Sequence, residues 1–299
     1  LGRPKALCFS SGYLANVGIL QALMSSRDII FQDKLNHASL IDGALLSGAK
    51  LSRFPHKSYE ALSQLLLQSS GNQQGLIVSD GVFSMEGDCA DITQLSELSR
   101  KHNATLYIDD AHGIGVIGEG GKGSVAGFGY SCDDVPILVG TFGKAFGLMG
   151  AFVVGDDSFI EYLTQKTRTA IYSTAFPPAI AGALMKSIDL VMLESWRREK
   201  LLSLIAYFKK KMQLYELPVL ASNTPIQPVM MGESYLALHV SQVLLDQGFY
   251  VRAMRAPTVP EGRARLRITL TAAHEESHID ALSEALANAF FSVKRKKDE

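Results

Sequence analysis

Ala104-Thr105-Leu106-Tyr107-Ile108-Asp109-Asp110-Ala111-His112-Gly113 reads as a buried strand followed by a turn. The apolar run suits a strand covered on both faces. Its carboxyl edge then carries a carboxylate and an imidazole three residues apart, where open α/β sheets place their ligand crevices. A second such edge lies downstream, in Val139-Gly140-Thr141-Phe142-Gly143-Lys144-Ala145-Phe146-Gly147, directly after the apolar run Pro136 to Val139. Small neighbours there let a flat ring approach the backbone, so Lys144 is placed to form a Schiff base with a carbonyl cofactor. A lysine beside glycines is otherwise an ordinary solvated loop residue.

The two edges together suit pyridoxal 5'-phosphate (PLP). That cofactor accepts electrons while its pyridine nitrogen is protonated, and an aspartate held against the nitrogen keeps it so. Asp109 takes this role, and His112 is spaced to bond the phenolic oxygen. Their plainer readings are a turn or cap residue and a histidine bonded to backbone. Ser10-Ser11-Gly12-Tyr13 stands between a short strand, Ala6 to Phe9, and a helix with Leu14, Val17, Leu20 and Met24 on its apolar face. A helix start of this kind can hold a phosphate, with Gly12 allowing close approach and Ser11 adding a hydroxyl; it is equally an ordinary serine cap. His37, before a helical pattern, and Ser84, after the strand Leu76 to Ser79, are placed to line the same crevice.

Motifs along nearly the whole chain resemble the alpha-oxoamine synthases, a fold-type I family dependent on PLP. They are Ser11-Gly12-Tyr13, His37 to Leu40, Gly81 to Asp88, Asp109 to Gly113, Thr141 to Lys144, Ile171 to Thr174, Pro257 to Pro260 and Arg265-Leu266-Arg267. The resemblance implies that Lys144 binds the cofactor covalently and Asp109 pairs with its ring nitrogen. It also implies that His112 and Ser84 bond the ring oxygen, that His37 stacks on the ring, and that Ser11, Gly12, Tyr13 and Thr141 hold cofactor and phosphate. Ser173 and Thr174 match residues that reach the phosphate from the other subunit of a homodimer. Arg267 matches the arginine that grips the amino acid carboxylate, a planar anion suited to a guanidinium. Periodicity alone does not choose between Arg265 and Arg267, since residues two apart on a strand share a face.

The implied reaction is a decarboxylating condensation of L-alanine with a pimeloyl thioester, carried by CoA or acyl carrier protein, in biotin biosynthesis. Similarity in Phe142 to Gly147, Ile171 to Pro178 and Arg265 to Ala273 favours this branch. The alternatives are the branch that joins glycine to acetyl-CoA, other members of the family, and a non-catalytic partner subunit. Leu1 to Lys5 matches a point inside the family's large domain, so roughly the first quarter of a full-length member is absent by this reading. The other reading is a short paralogue.

Composition agrees. The chain has 299 residues, is 47% hydrophobic and has a net charge of -1, which indicates a globular protein with a large core and two domains. Without a basic excess, nothing points to nucleic acid. The cluster Lys294 to Lys297 reads as a solvated tail. No apolar run reaches membrane-spanning length, and the start lacks secretory-signal character. Cys8, Cys89 and Cys132 lack paired spacing, which favours reduced thiols and a cytoplasmic setting.

The expected fold is α/β: a mostly parallel sheet covered by helices over residues 1–196, followed by a smaller α/β domain over 197–299. Asp91 with Gln94 predicts a capping box. Ala179 through Lys211 reads as one long helical stretch. His274-Glu275-Glu276-Ser277-His278 matches the H-E-x-x-H spacing of zinc proteases. That chemistry needs the whole motif inside a helix together with a third ligand. Because the motif follows a strand, His274 is expected at or before the helix cap, and no metal is assigned.

Overall fold

The computed structural model describes residues 1–69, 73–126 and 131–298, without the side chains of residues 294–298. The basic run Lys294 to Lys297 thus lies outside the described side chains. The chain separates into two compact units, one formed by Leu1–Phe83 and Cys89–Glu194, the other by Ser84–Asp88 and Ser195–Glu299.

The first unit runs β1 (Lys5–Phe9), α1 (Gly12–Leu23), β2 (Ile29–Asp33), α2 (Ala38–Ser47), β3 (Lys50–Phe54), α3 (Tyr59–Gln68) and β4 (Gly75–Asp80). It continues through α4 (Ile92–Lys101), β5 (Thr105–Asp109), β6 (Ile137–Thr141), β7 (Ala151–Gly155), α5 (Asp157–Lys166), α6 (Arg168–Ile171) and α7 (Pro178–Leu193). Its seven-stranded sheet has the order β1-β7-β6-β5-β4-β2-β3. The five strands from β6 to β3 are parallel, while β7 runs antiparallel to both β6 and β1. The fold is therefore the α/β class expected, with a mostly parallel sheet. Two apolar layers cover its faces: one centres on Phe31, Ile77, Leu106 and Leu138, the other on Ile30, Val78, Tyr107 and Val139. Adjacent residues of each strand feed opposite layers, as period-two geometry requires.

The second unit runs α8 (Ser195–Leu214), β8 (Ile226–Gly232), α9 (Ser234–Asp246), β9 (Arg252–Met254), β10 (Ala264–Thr269) and α10 (Glu276–Asp298). Its antiparallel sheet, β8-β10-β9, packs its apolar side chains with those of α8, α9 and α10. The single helical stretch expected from Ala179 to Lys211 is two helices, with Glu194 as the C-cap of α7.

Ser84–Asp88 clusters with the second unit, although the sequence reading kept it inside residues 1–196. Hydrogen bonds explain the capture. Arg265 donates to the Met85 carbonyl at 3.0 Å and to Glu86 Oε1 at 2.6 Å, while Ser222 and Thr224 hydroxyls donate to the Gly87 carbonyl. Gly87 has φ +71 and its missing Cβ would collide with the Ile226 carbonyl, so only glycine suits that close approach.

Candidate active site

Four parallel strands deliver the candidate residues at their carboxyl ends. His37 follows β2, Asp80 ends β4, Asp109 ends β5, and Lys144 lies on the exposed turn after β6. The parallel register sets Asp80 beside Asp109. Gly147, at φ +69, closes the Lys144 turn by donating its N–H to the Lys144 carbonyl at 2.9 Å. Thr141 Oγ1 accepts from Gly143 N–H at 3.2 Å and donates to the Gly150 carbonyl at 2.9 Å, bracing the same turn.

Asp109 is 5% exposed. One carboxylate oxygen accepts from Asn16 Nδ2 at 2.6 Å, the other from Ala111 N–H at 3.0 Å. His37 is the N-cap of α2; its Nδ1 meets Ser39 Oγ at 2.7 Å, and its backbone N–H donates to Asp80 Oδ2 at 2.7 Å. Burial lowers the pKa of His37, Asp109 opposes this, and the Lys144 ammonium lowers it further. At Asp80 burial raises the pKa strongly, Asp109 adds to this, and Lys144 acts against it. His37, Asp80, Asp109 and Lys144 are thus within electrostatic reach of one another.

Ser11 caps α1: its side chain accepts from Leu14 N–H at 3.2 Å, so the plainer cap reading holds. The first N–H groups of a helix lack intrahelical acceptors and still favour an anion. A Cβ on Gly12 would meet nothing within 4 Å, which leaves open space at that helix start. Tyr13 is exposed, and its hydroxyl donates to Asp42 Oδ2 at 2.7 Å. His112 sits half-buried in the turn that follows Asp110. Ser173 and Thr174 are exposed just beyond α6.

In the second unit the structure separates the two arginines. Arg265 is 1% exposed and is engaged with Glu86, Met85 and the Arg263 carbonyl. Arg267 is half-buried; its Nε donates to the Ser84 carbonyl at 2.7 Å, and it faces Arg252 across the β9–β10 ladder. Burial and Arg252 both lower the Arg267 pKa. Like charges directly opposite are destabilising, and a bound anion relieves them. His274 precedes α10, as expected, while His278 lies inside it. Both Nδ1 atoms accept backbone N–H groups, of Thr271 and Glu275, so the ring protons sit on Nε2.

The donor set suits PLP. An amine, a carboxylate with both oxygens met by donors, a nearby imidazole and an open helix N-terminus are what its carbonyl, ring nitrogen, ring face and phosphate require. Sequence reasoning missed Asn16, Asp80 and Tyr107, whose buried hydroxyl donates to Asn16 Oδ1 at 2.6 Å. A polar asparagine inside the apolar run Ala15 to Leu20 was the available signal for the first, and strand-end alignment with Asp109 for the second.

The sequence model of the family described as aminotransferase class I and II matches residues 1–286. An 8-amino-7-oxononanoate synthase of Saccharophagus degradans is 52% identical over 292 residues, covering 98% of this chain and 73% of that protein. A solved serine palmitoyltransferase from S. paucimobilis with bound PLP and myriocin superposes with TM-score 0.94 at 30% identity, covering 98% of this chain and 74% of that one. A solved 8-amino-7-oxononanoate synthase from Francisella tularensis gives TM-score 0.86 at 32% identity, covering 99% and 84%.

Proposed function

We propose, from the premise that this chain belongs to the class I and II aminotransferase family and there to the relatives of 8-amino-7-oxononanoate synthase, that it joins L-alanine to a pimeloyl thioester. The products are 8-amino-7-oxononanoate, carbon dioxide and the thiol of CoA or acyl carrier protein, a step of biotin biosynthesis. The observation that carries this reading is identity of 52% spanning 98% of the chain. The strand-end cluster of His37, Asp109 and Lys144 supplies the chemistry to go with it.

PLP, when bound, supplies an electron sink for the bonding electrons of the amino acid α-carbon. Lys144 Nζ would hold the cofactor carbonyl and take up the α-proton. The Asp109 carboxylate would hold the proton on the ring nitrogen, with Asn16 and Ala111 fixing its two oxygens. Ser11, Gly12, Tyr13 and Thr141 would hold phosphate and cofactor, His112 and Ser84 the ring oxygen. His37 would lie on the ring face and assist acyl transfer. Arg267, held at Nε by Ser84, would present its remaining guanidinium face to the alanine carboxylate.

A homodimer accompanies this reading. Helix α7 buries Leu184 alone, while Met185, Met192 and Leu193 are each at least 70% exposed. So apolar a surface is what a second copy would cover, and Ser173 and Thr174 would then serve the partner's phosphate. No helix among the described residues is long and apolar enough to cross a membrane.

Borohydride reduction of the PLP-loaded protein, followed by peptide mapping, should locate the label on Lys144, and L-alanine with pimeloyl-CoA should yield 8-amino-7-oxononanoate. Labelling of a different lysine would remove Lys144 from its role. Faster product formation from glycine and acetyl-CoA would overturn the substrate assignment.

A further inference from the structure

Asn16 is 1% exposed in the middle of α1, and its side chain is fully used. An asparagine amide offers two N–H donors and a carbonyl acceptor. Here Nδ2 donates to Asp109 Oδ2 at 2.6 Å and to Ser39 Oγ at 2.8 Å, and Oδ1 accepts the Tyr107 hydroxyl at 2.6 Å. The reversed amide would set its oxygen against the Asp109 carboxylate, so the orientation is determined. Tyr107 remains a donor throughout the neutral range, because burial, then Asp109 and Asp80, push its pKa well above the usual phenol value.

The consequences reach His37. Since Ser39 Oγ accepts from Asn16, its own hydrogen is available to His37 Nδ1, 2.7 Å away; the Ser39 N–H points to the same atom at 3.3 Å. With Nδ1 filled as an acceptor, the ring proton belongs on Nε2. Burial, which lowers the His37 pKa, keeps the ring neutral against the opposing pull of Asp109 and Asp42, with Lys144 on the side of neutrality. Asp80, the remaining facing carboxyl, is taken up by the His37 backbone N–H. The two helices hold this geometry by close approach: a Cβ on Gly43 of α2 would come within 3.0 Å of the Asn16 carbonyl oxygen.

We infer that Asn16 is a positioning residue that couples two functional groups, orienting the Asp109 carboxylate directly and fixing His37 as the Nε2–H tautomer through Ser39. The part concerning Asp109 rests on the proposed pairing of that carboxylate with the cofactor ring; the part concerning His37 does not. Through Asn16, one buried amide would set the charge partner of the ring nitrogen and the proton position on the ring face together. A chain of bonds of this kind in a dry site is mutually reinforcing.

The test begins with cofactor-free protein carrying ¹⁵N-histidine. Two-dimensional NMR of His37 should show the Nε2–H pattern at pH 7.5. Ser39→Ala removes the hydroxyl that bonds both Asn16 and His37 Nδ1, and should produce a mixture in which the Nδ1–H form is populated. Tyr107→Phe, which leaves the core filled, should move the same ratio in the same direction by freeing Asn16 to rotate. An Nδ1–H wild-type ring, or a ratio unchanged in both variants, overturns the His37 part. In Asn16→Ala the PLP dissociation constant, measured by fluorescence titration, should rise about tenfold, equivalent to about 1.4 kcal/mol. An unchanged constant overturns the Asp109 part. Failure of the proposed function would show separately, as absence of the Lys144 adduct in wild type.

Discussion

Replacing Asp110 by Asn should reverse part of the protein's alkaline destabilisation. Asp110 is completely buried beside Asp109, and its Oδ1 has no hydrogen-bond partner among the described residues. A Cβ on Gly81, Gly113 or Gly123 would collide with its carboxyl group, so three glycines enclose it. Burial pushes its pKa from 3.8 to about 7, opposed by hydrogen bonding from Ser124. The folded state therefore binds this proton more tightly than the unfolded chain. Below pH 3.8 the associated stability is fully present; it is lost as pH rises and is gone above about 7. At about 1.4 kcal/mol per pKa unit, the whole effect is about 4 kcal/mol, of which about 2.5 kcal/mol falls between pH 5 and pH 8. Urea unfolding followed by circular dichroism, on wild type and Asp110→Asn at both pH values, isolates it because other titrating groups cancel. The variant should gain about 2.5 kcal/mol relative to wild type on going from pH 5 to pH 8. A difference independent of pH, or one of opposite sign, would refute the assignment of a buried, proton-holding carboxyl.

Arg265→Ala would leave Glu86 without its 2.6 Å partner in a buried setting, and should lower unfolding free energy by about 3 to 5 kcal/mol in the same urea assay; a loss below 1 kcal/mol would mean the pair is dispensable. Arg267→Lys keeps the charge but loses the fork, so KM for L-alanine should rise at least about tenfold, the value of a hydrogen bond to a charged group. Steady-state kinetics with varied L-alanine would expose the error if KM stayed at the wild-type value.

Strand ends were the legible part of this protein. Thr105–Asp109 and Ile137–Thr141 are short apolar runs that stop at polar residues, so their termini and the chemistry hung on them could be read from hydrophobicity alone. Partnerships made by tertiary contact were not. Gln94 illustrates this: its N–H is capped by Asp91 as expected, yet the return bond goes from Gln94 Nε2 to the Asp91 carboxylate, because the Asp91 N–H is already taken by the Tyr59 hydroxyl. The antiparallel strand β7 follows β6 through a loop of glycines whose pattern gives no direction. Arg265 and Arg267 are indistinguishable by period, and only the capture of Ser84–Asp88 sorts a structural ion pair from a half-buried guanidinium.

Three aspartates crowd the ends of β4 and β5, and their surroundings divide the labour among them. Asp80 receives a single backbone N–H from His37 at one carboxyl oxygen, and burial weighs against its charge. Asp110 receives the Ser124 N–H within its cage of glycines, and burial weighs against its charge as well. Asp109 alone has a donor on each oxygen, one from a side chain that is itself locked by Tyr107 and Ser39. Three neighbouring anions in so dry a place would repel one another, and the raised pKa values of Asp80 and Asp110 lessen that repulsion by favouring their protonated forms as pH falls. The surroundings of Asp109 thus do more than fill space: a donor on each oxygen sets it apart from its two neighbours as the carboxylate we propose for the cofactor's ring nitrogen.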